Sequence, residues 1–277
     1  MTRLRLGLAI LLLLTTAAIA APWVAAWLGV DPDVPDLLAR QSGPSAAHPL
    51  GTDELGRDIL ARLLFGARVS LAVGLAAALA STAIGLAAGL LAAWRGGWVD
   101  ALLMRLADGL LALPALPLLV LLAAMDPAAL GLPRGGALTD VLRIVLILAI
   151  FGWVGVARLS RAAAISVLAR DHVRAARALG VSEARLLRRH VAPALAAPLT
   201  VAGSLAVAGA ILAESTLSFL GLGIQPPASS WGNMLANAQD LVFSAPMAAL
   251  WPGLAIAAAV AGAMLVADGL RRGQETP

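Results

Sequence analysis

Cysteine is absent from the 277 residues, which rules out disulfides and thiolate metal sites. Lysine is absent too, all 20 basic residues being arginine, so there is no GxxxxGK[ST] loop to cradle the phosphates of ATP. HExxH and GxSxG are also missing. The three histidines, His48, His172 and His190, lie far apart along the chain. No metal site is read from them, and His172 and His190 are assigned to a solvated docking surface. Charge is scarce: 13% of residues are charged, against 60% hydrophobic and a mean hydropathy of +0.89. A soluble core of this length does not need so much apolar sequence, so the chain reads as a polytopic, all-α membrane protein. No paired carboxylates or other polar constellation fall within the apolar runs, so no catalytic site is read. Any solute moved against a gradient must draw its energy from a partner.

Six apolar runs are predicted to cross the membrane, at 6–28, 69–94, 101–124, 141–156, 195–217 and 247–267; roughly 20 apolar residues suffice. In the first, Ala18-Ile19-Ala20 resembles a signal-peptide cleavage site. The run continues through Trp23, Val24 and Trp27, so an uncleaved anchor is expected. In the second, Gly74, Ser81, Gly85 and Gly89 recur at spacings that let membrane helices approach closely. The third carries Asp108 near its start, expected at the interface beside Arg105. Pro114 and Pro117 should bend it near a translocation cavity, with helix packing as the alternative. The fourth is expected to continue as a helix beyond the membrane. Glu214, near the far end of the fifth, is either an outer gate or binding-protein contact, or an ordinary interfacial cap.

Between these runs, residues 31–66 read as an extramembrane loop, a solvated connector at most individual positions though not as a block, leading into a short interfacial helix between Arg62 and Arg68. Residues 126–140 form a loop. Residues 218–246 form another, fixed by Gln225-Pro226-Pro227 and Trp231-Gly232-Asn233. With the N-terminus inside, only Arg40, Arg57, Arg62, Arg68, Arg134 and Arg143 fall outside, and the other fourteen arginines fall inside. That is the bias of cytoplasmic loops. It also accounts for the net charge of +4 without nucleic acid.

The long polar interruption in the second half is Asp171–Pro193, DHVRAARALGVSEARLLRRHVAP. It reads as two short helices with a bend. Asp171 is expected to cap the first, Gly180 to end it at positive φ, and Ser182 to cap the second. Glu183 suits the second helix's opening turn, and Arg188 and Arg189 its close. Helices this short are marginal alone, so the pair must dock on something. Ala175, Ala176 and Gly180 would admit a close neighbour. The competing account is a basic amphipathic helix lying on anionic lipid.

This segment resembles the cytoplasmic loop of inner-membrane subunits of ABC importers, with its pattern EAA, three residues, Gly, nine residues, I-x-L-P. Ala175, Ala176, Gly180 and Pro193 are in register; Arg174 replaces the Glu, His190 the Ile and Ala192 the Leu. It is more similar to the second permease subunit of dipeptide, oligopeptide and nickel importers, with D-x-x-x-A-A-x-A-x-G followed by R-H-x-x-P. Asp171, Ala175, Ala176, Ala178, Gly180, Arg189, His190 and Pro193 fit that form. HPLGTDELGRDILARLLFGARVSL (48–71), GGWVDALLMRLAD (96–108) and ESTLSFLGLGIQPPASSWGNML (214–235) resemble the same subfamily.

The resemblance implies a type I ABC importer permease fold. Residues 1–66 would be an anchor and outer loop. Residues 67–277 would be the transport core, with coupling helices at 170–193. It implies no cofactor on this chain, with ATP and Mg bound by partner ATPase subunits. The other implied partners are a second permease and an extracytoplasmic solute-binding protein. The protein would sit in the bacterial inner membrane with both termini cytoplasmic. Peptides are the expected solute and nickel or another metal complex the alternative. A membrane scaffold without transport is the remaining class.

Overall fold

A backbone that cannot hydrogen-bond to lipid must satisfy itself within each segment, and this apolar chain does so with helices. The structure is a computed structural model that describes residues 2–133, 135–236 and 246–275. Arg134, counted above among the outer arginines, and residues 237–245 of the last loop lie outside the described residues. In chain order the helices are α1 (Thr2–Leu28), α2 (Ile59–Arg95), α3 (Gly97–Ala112), α4 (Ala115–Ala123), α5 (Ala137–Leu168), α6 (Asp171–Ala178), α7 (Glu183–Phe219) and α8 (Pro246–Glu275). Among the described residues α1, α2, α5, α7 and α8 are each long and apolar enough to cross a membrane, and α3 with α4 makes a sixth crossing if counted as one.

That sixth crossing is broken rather than kinked, because α3 and α4 meet at 89°. A residue before proline is pushed out of the helical region, and Leu113 is extended at φ −86°, ψ 143°. Pro114 follows at ψ 107° as the residue before α4. Pro117 falls in the first turn of α4, where a missing N–H costs no intrahelical bond. Salt bridges tie α3 to α5. Asp100 receives Arg161 through two hydrogen bonds, the Nη2 one at 2.5 Å. Asp108 pairs with Arg158, not with Arg105 as expected, because the broken crossing lays α3 against α5.

The small-residue stripe of α2 lies where α5 crosses it. A Cβ on Gly85 would sit 2.6 Å from the Trp153 carbonyl oxygen, and one on Gly89 would meet the Ala157 carbonyl and lie 2.7 Å from Ser160 Cβ. Overpacking such a contact typically costs about 1–3 kcal/mol. Gly89→Val is therefore expected to lower the melting temperature in detergent. Gly155→Val, on α5 with nothing within 4 Å of its Cβ position, should leave it near wild type. Equal melting temperatures for the two variants would refute the close crossing. On the other side α1 packs against α8, Arg3 Nη1 reaching Asp268 Oδ2 at 2.6 Å.

Two connecting segments differ from expectation. The interfacial helix placed at 62–68 is the opening of α2. Asp58 caps α2 by accepting the Ala61 N–H at 2.7 Å. The connector before it is mostly exposed over residues 31–47, but its end is folded. Thr52, Asp53, Arg57, Asp58 and Arg62 are all buried. Asp53 accepts Arg57 Nε at 2.8 Å and lies 3.5 Å from Arg62 Nε, so one carboxylate answers two guanidinium groups.

Candidate functional site

The arginine-rich end of the bundle carries the Asp171–Pro193 segment. Val173 is wholly buried among Ala164, Val167, Leu186 and Leu195. That burial fixes which face of α6 looks outward: Asp171, Arg174, Ala175, Ala178 and Gly180 are exposed. Ala176 is half-buried against the same apolar cluster. Arg189 and Pro193 are exposed and His190 is half-buried.

Gly180 ends α6 at φ +82°. Its N–H reaches the Arg177 carbonyl at 3.0 Å and the Val181 N–H reaches Ala176 at 3.2 Å. This is the paired closure that a left-handed residue after a helix permits. Arg177 and Glu183 bridge the bend with two hydrogen bonds of 2.7 and 3.0 Å. The expected caps are not formed. Asp171 is the first residue of α6, with Arg170 in the capping position, and the Ser182 hydroxyl caps nothing.

The second helix is not short. It runs without interruption from Glu183 to Phe219, 37 residues, as α7. Arg188, Arg189 and His190 therefore lie on a π-helical turn, Leu187–Val191, instead of at a helix end. Pro193 cannot donate to a carbonyl four residues back and crowds that carbonyl. One extra residue in the turn relieves this, the Ala192 N–H reaching Leu187. α6 is thus joined by a closed bend to a rigid rod that traverses the bundle.

At the opposite end of α7, Glu214 is 0% exposed. Ser70 of α2 donates to its Oε2 at 3.0 Å and Ser218 to its Oε1 at 2.7 Å. Each hydroxyl also accepts a backbone N–H from the following loop: Ser70 from Trp231 and Ser218 from Ile224, both at 3.1 Å. The carboxylate therefore holds α2, α7 and the loop together. Within this chain it acts as an internal clasp. The loop is pinned further by Trp231, whose Nε1 donates to Leu63 at 3.0 Å, and by Asn233, whose amide donates to Ala228 at 2.7 Å. Asp140 and Arg143 of α5 hold its other flank, Asp140 accepting the Gln225 N–H at 3.1 Å and Arg143 donating to the Gly223 carbonyl at 3.1 Å.

Pro114 and Pro117 are exposed on this chain. Their effect is to aim α4 across the bundle. There Leu119 lines a cavity of about 250 Å³ with Ser81, Phe151, Gly152 and Gly209. Sequence reasoning named Ser81 only for packing and missed the cavity's other lining residues. The available signal was the small-residue run of α7 around Gly209. Ser70, Asp140 and Arg143 carried no signal, because the partners they hold are distant in sequence.

Residues 85–275 match the family described as binding-protein-dependent transport system inner membrane component. The di/tripeptide transport system permease protein DppC of Pseudomonas aeruginosa is 41% identical over 268 residues, covering 96% of this chain and 85% of that protein. The oligopeptide transport system permease protein OppC of Bacillus subtilis is 35% identical over 265 residues, covering 96% and 82%. Among solved structures, an amino acid ABC transporter described with histidines shares the fold at a TM-score of 0.55 and 17% identity, over 76% of this chain and 94% of that one. A helical bundle with this match over more than half its length, and with relatives this similar across nearly all of it, belongs to the family of inner-membrane components of binding-protein-dependent transport systems, as the non-catalytic permease subunit of an ABC importer.

Proposed function

We propose that this permease forms half of the translocation path of a peptide importer and is driven through α6 by an ATP-hydrolysing subunit. The observation that carries the reading is the outward face of α6, small at Ala175 and Ala178, joined by a closed bend to the continuous rod of α7. A push on such a helix moves α7 as a body, the kind of rigid displacement that alternating access requires. Asp171, Arg174, Ala175, Ala178, Gly180, Arg189 and Pro193 would make or flank the contact, and Ala176 and His190 would support it from behind. The cavity beside Leu119 and Gly209 is the candidate for this subunit's share of the path. A second permease would complete that path, and a solute-binding protein would deliver cargo to the end held by the Glu214 clasp. Residues 1–66 act as anchor and outer loop and 67–277 as the transport core. Peptides are the solute because the relatives at 41% and 35% identity are named for di/tripeptide and oligopeptide transport. The arginine-rich end, with both termini, lies in the cytoplasm.

Copurification tests the drive. Ala175→Trp adds bulk to the exposed face without touching the core and is expected to cut recovery of the ATPase at least tenfold, with insertion unchanged. Undiminished recovery would place the contact elsewhere. The absence of native cysteine makes orientation easy to read: a single Leu179→Cys, at a position 85% exposed, should react with an impermeant maleimide only after the membrane is opened.

A further inference from the structure

We infer that His172 and His190 form a two-imidazole site for a divalent ion of the zinc, nickel and copper class, and that the bound ion staples α6 to the root of α7. The residues are far apart in sequence, yet their ring centroids are 5.7 Å apart with planes tilted by 49°. With metal–nitrogen bonds of about 2.0–2.1 Å, two imidazoles on one ion hold their centroids roughly 5–6 Å apart. The centroid separation therefore falls within the span that two imidazoles on one ion occupy. Among the described residues neither ring takes part in a hydrogen bond, so its nitrogens are not already claimed. His172 is exposed in the first turn of α6, and His190 is half-buried on the π turn. The extra residue of that turn offsets the helix by roughly 100° relative to an uninterrupted one, and so sets the direction of His190.

The chemistry selects the ion. Neutral imidazole suits zinc, copper and nickel, whereas magnesium and calcium require oxygen ligands. Among the described residues no third His, Asp or Glu completes a cluster, so two coordination positions or more stay with water. Arg174, Arg188 and Arg189, close in sequence to the two histidines, disfavour a cation, and Asp171 beside His172 favours one. Binding is accordingly reversible, and the site acts as a brake instead of a structural centre. An ion held by both rings couples a helix that must move to the rod that it moves. The effect on transport rests on the proposed role of α6; the binding does not.

The test uses the full chain in nanodiscs and then the assembled importer. With Cu²⁺ as probe, electron paramagnetic resonance should show hyperfine coupling to two imidazole nitrogens. Calorimetry with Zn²⁺ should show at least a tenfold loss of affinity in His172→Phe and in His190→Ala, and none in His48→Ala. His172→Phe keeps a ring against His190 but cannot ligate, so it separates ligation from packing. In the importer, Zn²⁺ at saturating concentration should slow uptake by wild type and leave His172→Phe unaffected. Unaltered ion binding in His172→Phe overturns the site. Binding lost in that variant, with uptake equally sensitive to zinc in both proteins, overturns the staple. Failure of α6 as the driven element would instead show as normal uptake by Ala175→Trp, which keeps both imidazoles.

Discussion

Glu214→Ala is expected to abolish uptake and to lower the melting temperature more than any other single substitution described above. Three buried hydroxyls, Ser70, Ser218 and, at longer range, Ser215, would lose this acceptor. Each buried polar group left unsatisfied costs about 1–3 kcal/mol, and the vacated carboxyl volume adds a cavity cost. Ser70 and Ser218 also hold the Trp231 and Ile224 amides, so the loop should loosen with them. Hydrogen exchange should therefore quicken at Ile224 and Trp231 while the amides of α1 are unaffected. Glu214→Gln preserves shape but sets an NH₂ against one serine donor, so it should fall between alanine and wild type. A melting temperature and exchange pattern equal to wild type in Glu214→Ala would eliminate the clasp.

Gly180→Val should separate coupling from folding. The residue sits at φ +82°, which a β-branched side chain adopts only at a penalty of roughly 1–2 kcal/mol or more. A Cβ there meets nothing within 4 Å, so the strain is confined to the backbone of the bend. The bend is expected to open, freeing α6 from α7. Uptake should fall at least tenfold while membrane insertion and melting temperature stay close to wild type. Gly180→Asn, which tolerates left-handed backbone better, should retain most of the activity. Normal uptake by Gly180→Val would mean that force does not pass through this bend.

The clasp and the bend differ in how readily the sequence betrays them. Gly180 was legible because a glycine following a short polar helix has a local explanation: its N–H partner, Arg177, lies three residues back. The stripe of Gly85 and Gly89 was legible for the same reason, since helical periodicity puts both on one face. The clasp joins Ser70 to Glu214 across 144 residues, and nothing near either position reports the other. The break at Pro114 was anticipated as a bend, but not at 89°. A proline shows that a helix is interrupted, and the packing of its neighbours decides where the chain goes next. The second short helix was misjudged because Arg188 and Arg189 read as its closing turn, whereas a π turn carried α7 through.

Composition and periodicity alone determined that this is a multi-span helical membrane protein with a charged segment at one end and no phosphate loop of its own, because hydropathy and helical repeat are properties of neighbouring residues. The tertiary structure decided that Glu214 is interior, that Ala176 is half-buried, that Asp108 answers Arg158, and that His172 stands beside His190. Those facts depend on which helices cross and at what angle, and crossing is fixed by side-chain packing between segments that the linear order keeps far apart.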